Sequence, residues 1–116
     1  MYQKYINVPI FYPNGTCEYC TILNELAPMQ AIVGGYIEAA YPFPHDNSVI
    51  FLVNEEGAIR GMPKQTICGI ALHGTVFVAG HDGEGNFDGI SFERAEILAK
   101  SNGYKFIDKT QKEKKA

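Results

Sequence analysis

The side chains best equipped for chemistry are three cysteines and three histidines. Cys17-Glu18-Tyr19-Cys20 has the spacing of half a zinc site, which Cys68 and His73 could complete as a tetrahedral Cys3His set. The pair is also a redox signature, but the βαβ setting of a thioredoxin-like site is missing around it. Strand alternation argues against both uses, because residues three apart in a strand project to opposite faces. Thiols in such a run are ordinarily buried or half-buried apolar groups, and no cofactor is expected. For nucleophilic catalysis, His45, His73 and His81 are the available bases, yet no elbow or other nucleophile motif surrounds any cysteine or hydroxyl. His45 and His81 read as exposed loop residues, and His73 borders a strand.

The loop Asp82-Gly83-Glu84-Gly85-Asn86-Phe87-Asp88 spaces oxygen ligands by two, with Glu93 farther along, in imitation of a calcium loop. Phe87 stands where that loop needs glycine for its sharp turn, and a strand rather than a helix precedes it. The glycines do not make a phosphate cradle either, since the Gly-Lys-Ser/Thr ending is absent and Asp82 and Glu84 would repel a phosphate. Nothing in the acid spacing selects a carboxylate pair for glycoside chemistry. No enzymatic activity is expected.

A binding role has better candidates. Arg60 and Lys64 flank the break Gly61-Met62-Pro63, and Phe77 lies in a strand leading to Asn86-Phe87-Asp88. An aromatic face can stack on a base, an amide and a carboxylate can read base or ribose edges, and cations can meet phosphate. Arg60, Lys64, Phe77, Asn86, Phe87 and Asp88 are therefore the candidate ligand contacts. Either phenylalanine could equally be core, and Arg60 could simply be solvated.

Several elements must position these residues. Tyr5 to Phe11 and Cys17 to Leu23 read as strands around Asn14-Gly15, a hairpin turn whose two central residues need positive φ. Pro9 marks the first as an edge strand. Pro28 ahead and Gly34-Gly35 behind bracket a short helix over Met29 to Val33. Tyr36 to Phe43, Val49 to Asn54 and Gly74 to Gly80 read as strands, with a short return run at Ala58-Ile59-Arg60 after the turn Glu55-Glu56-Gly57. Ser91 is a good N-cap for a helix over Phe92 to Ser101, and Tyr104 to Ile107 could add a final edge strand. The expected fold is α+β, a mostly antiparallel sheet with one short early helix and one C-terminal helix.

The 116 residues suit one domain, assigned to residues 1–108, with 109–116 as a lysine-rich flexible tail. Residues 1–99 carry four bases (Lys4, Arg60, Lys64, Arg94) against eleven acids, a net of −7, whereas residues 100–116 carry six lysines against Asp108 and Glu113, a net of +4. The acidic body would repel a nucleic-acid backbone, so no nucleic-acid partner is expected. No apolar run approaches the roughly 18 residues of a membrane span, and three cysteines without an export signal suit a reducing, cytoplasmic setting. In a chain this short, a second copy is expected to complete a ligand site, which makes a homo-oligomer, a dimer or higher, the expected state.

Five blocks in order carry a resemblance. They are Met29-Gln30-Ala31-Ile32-Val33-Gly34-Gly35-Tyr36-Ile37-Glu38-Ala39, Val53-Asn54-Glu55-Glu56-Gly57, Gly61-Met62-Pro63, Gly74-Thr75-Val76-Phe77-Val78-Ala79-Gly80 and Asn86-Phe87-Asp88-Gly89-Ile90-Ser91. From about residue 29 to 98 the chain resembles a small domain family of unknown function, abundant in phages, prophages and mobile elements of Gram-positive bacteria. Lys64-Gln65-Thr66 departs from the Asn-Arg pair that many members carry there. In size, element order and the aromatic-plus-Asn loop, it is more loosely similar to the Thoeris anti-defence sponges of phages. That similarity implies a homo-oligomer in the host cytoplasm that sequesters a cyclic ADP-ribose signal, or a cyclic oligonucleotide, without cleaving it. It carries the ligand role onto Arg60, Phe77, Asn86 and Phe87. A rival expectation is an acidic phage protein that inhibits a host enzyme by direct protein–protein binding.

Overall fold

The structure, a computed structural model, describes residues 2–43, 45–46 and 48–110. Nine strands and two helices follow one another as β1 (Tyr5–Phe11), β2 (Thr16–Leu23), α1 (Leu26–Val33), β3 (Ile37–Ala40), β4 (Ile50–Asn54), β5 (Lys64–Ile67), β6 (Ile70–His73), β7 (Val76–His81), β8 (Phe87–Asp88), α2 (Phe92–Ser101) and β9 (Lys105–Asp108) among the described residues. The main sheet runs β3-β4-β7-β1-β2-β9, with β8 added beside β7, and β5 and β6 form a separate hairpin. All pairings are antiparallel except β2 with β9. This is the expected α+β fold.

Three expectations are corrected. β1 is not an edge strand, because it pairs with β2 over its full length and with β7 at Ile10↔Phe77 and Phe11↔Val76. Pro9 acts more locally. It has no N–H to donate, the β1–β7 ladder stops there, and β8 takes up the far end of β7 at Gly80 and His81. In the first turn only Gly15 has positive φ, at 93°. Its N–H donates to Tyr12 O at 3.0 Å, so Pro13 and Asn14 turn without leaving negative φ. The third correction concerns Ala58-Ile59-Arg60, which continue the turn after Asn54 instead of forming a strand. The strand return comes later, in the β5–β6 hairpin.

Burial follows strand alternation on both faces of the sheet. On one face α1 lays Met29 and Val33 over Ile6, Val8, Ile10, Ile50, Leu52 and Phe77. On the other, α2 sets Ala95 and Ala99 against Phe11, Tyr19, Phe51, Val76 and Val78, joined by Ile67 and Leu72 of the hairpin. Buried Gln65 ties that hairpin down: its Nε2 donates to Phe11 O at 3.1 Å and Gly74 O at 2.6 Å, and its Oε1 accepts from Tyr104 Oη at 2.6 Å. The tail assigned from 109 onward begins in ordered structure, since Lys109 N–H donates to Tyr19 O at 2.8 Å. Its residues 111–116 lie outside the described residues.

Cys17 and Cys20 point to opposite faces of β2, Cys17 into the α2-side core and Cys20 against the α1-side core. Among the described residues, no three His, Cys, Asp or Glu side chains are grouped to hold a metal. Burial, reinforced by Cys20 and Glu18, pushes the Cys17 thiol from 9.0 up to about 12. An acid whose pKa rises on folding adds stability that is complete below its unfolded pKa and lost as pH climbs through the folded value. Unfolding free energy should therefore fall by a few kcal/mol between pH 9 and 12, with Tyr12, also raised to about 12 by burial and Glu18, acting in the same sense. Denaturant titrations across that range should show a shallower fall in Cys17→Ala than in the parent. Equal slopes would acquit the thiol.

Candidate ligand-binding cleft

The residues singled out from sequence do not meet at one place. Phe77 is 0% exposed, between Ile10 and Leu52 in the sheet and in the cluster that α1 covers. As a stacking platform for a ligand it is corrected: its ring is core. Arg60 is exposed in the turn after β4, where its Nη1 donates to Gly34 O at 3.3 Å. Lys64 opens β5 opposite His73 and is also exposed. Asn86, Phe87 and Asp88 lie at the other end of β7. The six residues of β7 put roughly 16 Å between these ends, so one small ligand cannot touch both within a single copy.

The Asn86 end is also largely occupied with its own loop. Asn86 Nδ2 donates to Asp82 Oδ2 at 3.0 Å, and Asn86 N–H donates to Asp82 Oδ1 at 3.1 Å. Asp82 Oδ1 further accepts Glu84 N–H at 2.7 Å, which spends in turn formation the oxygens that imitate a calcium loop. Phe87 is half-buried against the α1-side core, and Asp88 Oδ1 accepts Gly89 N–H at 2.9 Å. What remains is a hollow of about 230 Å³ between Asn86, Phe87 and the start of α1.

The sequence blocks around Gly34-Gly35 and Asn54 have a packing explanation. Asn54 is buried, with Nδ2 donating to Val33 O at 3.1 Å and Oδ1 accepting Glu56 N–H at 2.7 Å. A Cβ on Gly35 would lie 2.9 Å from Asn54 Nδ2, and one on Gly57 would lie 2.7 Å from His73 O. These blocks join α1, β4 and the hairpin at one close-packed corner.

A second opening lies on the α2 side of the sheet. A cleft of about 410 Å³ is floored by Val49, Val78 and Ile90 and walled by Arg94, Ile97, Leu98 and Ser101 of α2. Cys68, at the tip of the β5–β6 hairpin, closes one end, and Phe43 stands at the mouth. Each wall has a local cause. Ser91 Oγ accepts Arg94 N–H at 3.2 Å, starting α2 so that Arg94 falls in its first turn. The tip needs positive φ twice in succession, 53° at Cys68 and 78° at Gly69. Asn102, just past α2, pins that tip: its Oδ1 accepts Cys68 N–H at 2.8 Å while its Nδ2 donates to Leu98 O at 2.8 Å.

Charge enters the cleft through Arg94, whose Nη1 and Nη2 stand 3.4 Å from Ser48 Oγ. Ser48 in turn donates its hydroxyl and its N–H to Asp46, at 2.5 and 2.9 Å. Those two bonds, helped by the Arg94 charge, hold the Asp46 carboxyl below the usual carboxylate range. The cleft thus offers an apolar floor, an aromatic ring at its mouth and one permanently charged fork of donors at its rim, the composition of a small-molecule seat. Sequence reasoning named Arg94 only as one of four bases in an acidic body and passed over Phe43. The scarcity of cations was the available signal.

A family model described as a domain of unknown function (DUF3846) matches residues 6–102. No curated protein and no solved structure matches the chain.

Proposed function

The chain belongs to the DUF3846 family, and from that premise we propose that it is a non-enzymatic binding domain that sequesters a small anionic ligand with a flat or apolar body, of the cyclic-nucleotide type. The carrying observation is the 410 Å³ cleft with Arg94 at its rim and Phe43 at its mouth. Its volume lies in the range of small-molecule sites, and its apolar lining suits a ring system better than a bare phosphate. A guanidinium binds phosphate through paired donors and keeps its proton near neutrality, so Arg94 is suited to holding an anion and not to shuttling protons to it. Sequestration needs a micromolar Kd or better, about −8 kcal/mol. An apolar body buried in the cleft, with one charge-assisted contact of about 1.5–3 kcal/mol, is of that order. The sponge resemblance supplies the biological reading: a phage protein that depletes an immune signal such as a cyclic ADP-ribose isomer.

The test is capture and release. Purified protein is mixed with cyclic ADP-ribose isomers and cyclic dinucleotides, the free ligand is measured, and the protein is then denatured. Depletion followed by recovery of the unaltered mass is expected. No depletion of any of them, or a cleaved product, would refute the reading. The alternative, inhibition of a host enzyme by direct contact, draws support from Ile59, 88% exposed in an acidic turn beside Glu55 and Glu56. Stoichiometric retention of one host protein, with no small molecule, would favour it.

A further inference from the structure

We propose that the outer edge of β3 binds a second copy of this chain, strand to strand, about a two-fold axis through Ala39. The two ends of the main sheet are finished differently. β9 begins at exposed Lys105 and is followed directly by exposed Lys109, and such lysines keep an edge solvated and discourage pairing. β3 has no such protection: Tyr36-Ile37-Glu38-Ala39-Ala40-Tyr41 contains no lysine, arginine or proline. Tyr36 and Tyr41, at its two ends, are 70% and 54% exposed.

The register with β4 shows which backbone groups are available. Glu55 N–H donates to Tyr36 O at 2.8 Å, and the pairing continues as Glu38↔Val53 and Ala40↔Phe51. Even-numbered residues thus turn their N–H and C=O toward β4, and Ile37 and Ala39 turn theirs outward. Among the described residues, no strand pairs with that side.

A second β3 matches this edge in one register. A two-fold axis requires antiparallel pairing in which outward-facing odd residues oppose odd residues. Centring on Ala39 sets Ala39 against Ala39 and Ile37 against Tyr41 twice, a small pair on the axis flanked by apolar–aromatic pairs. It places Glu38 opposite Ala40. Centring one residue earlier would set Glu38 directly against Glu38, a like-charge pair that costs stability. Centring one residue later would leave Ile37 opposite Phe43, beyond the strand. Charge and side-chain size therefore select the same register, and the main sheet becomes continuous through both copies.

The inference does not rest on the ligand reading, since the mass of the free protein tests it. Sedimentation or light scattering at tens of micromolar should give twice the 12.8 kDa chain mass. Ala39→Pro removes an N–H that faces outward, so the β3–β4 ladder should survive and the mass should fall to one chain with an unchanged far-ultraviolet spectrum. Ala39→Lys, which keeps the strand backbone and places two charges on the axis, should do the same if the proline variant folds poorly. Ala39→Cys should give a covalent dimer under mild oxidation, because opposed residues in such a pair lie about 5.5 Å apart, within disulfide range. A parent of single-chain mass, a dimer that persists in both the proline and the lysine variants, an Ala39→Cys protein that forms no covalent dimer, or a ladder of larger species would each overturn the assignment.

Discussion

Phe77→Ala is expected to cost about 3–5 kcal/mol of stability and to lower the thermal midpoint by more than about 10 °C. The side chain is fully buried where Ile10, Leu52, Met29 and Val33 gather, so truncation removes apolar surface from three strands and α1 together. A cavity enclosed by a sheet and a helix relaxes little, which puts the loss at the high end for a large-to-small change. Domains of this size are stable by only about 5–15 kcal/mol, so a large part of the margin disappears. Urea or thermal unfolding followed by circular dichroism measures it. A ligand-stacking ring would behave differently: its removal would spare stability and abolish capture. A stable Phe77→Ala protein would therefore refute the core assignment.

Arg94→Glu is expected to weaken ligand capture about 100-fold or more, while the fold survives because residue 94 is exposed. Losing a charge-assisted contact costs about 1.5–3 kcal/mol, and the new carboxylate adds repulsion toward an anion. Isothermal titration with the ligand found by capture reads the change, and unfolding curves check that the protein is intact. Arg60→Glu is the contrasting variant. If it abolishes capture while Arg94→Glu leaves it unaltered, the ligand sits at the Gly34-Gly35 corner and the cleft assignment is wrong.

The elements carrying strong local signals were legible in the sequence. Tyr5–Phe11 and Phe92–Ser101 have the expected bounds, Ser91 caps α2, and Gly34 ends α1 in the left-handed region at φ 80°. What misled was a rule applied beyond its reach. Pro9 forbids one donor, which suits an edge strand, but a central strand tolerates it where its neighbour's ladder changes hands. The β5–β6 hairpin was missed because its turn, Cys68-Gly69, places a cysteine where asparagine or aspartate is the usual signal. The site was the least legible part. The cleft gathers Phe43, Val49, Cys68, Val78, Ile90 and Arg94 from separate elements, and no spacing in the chain encodes their meeting. The selected set does not converge within one copy for the same reason: Phe77 is sealed beneath α1, and Arg60 stands at a corner.

The parallel pairing of β9 with β2 carries a consequence for biosynthesis. β2 leaves the ribosome early and finds β1 at once through a tight turn, yet its second flank stays open until β9, made after every other strand described here, has emerged. Until then the nascent chain exposes a row of unpaired amides and carbonyls along Thr16 to Tyr19. The window for misassembly at this flank thus stays open until β9 emerges, and a chain cut short before Lys105 would leave it unsealed.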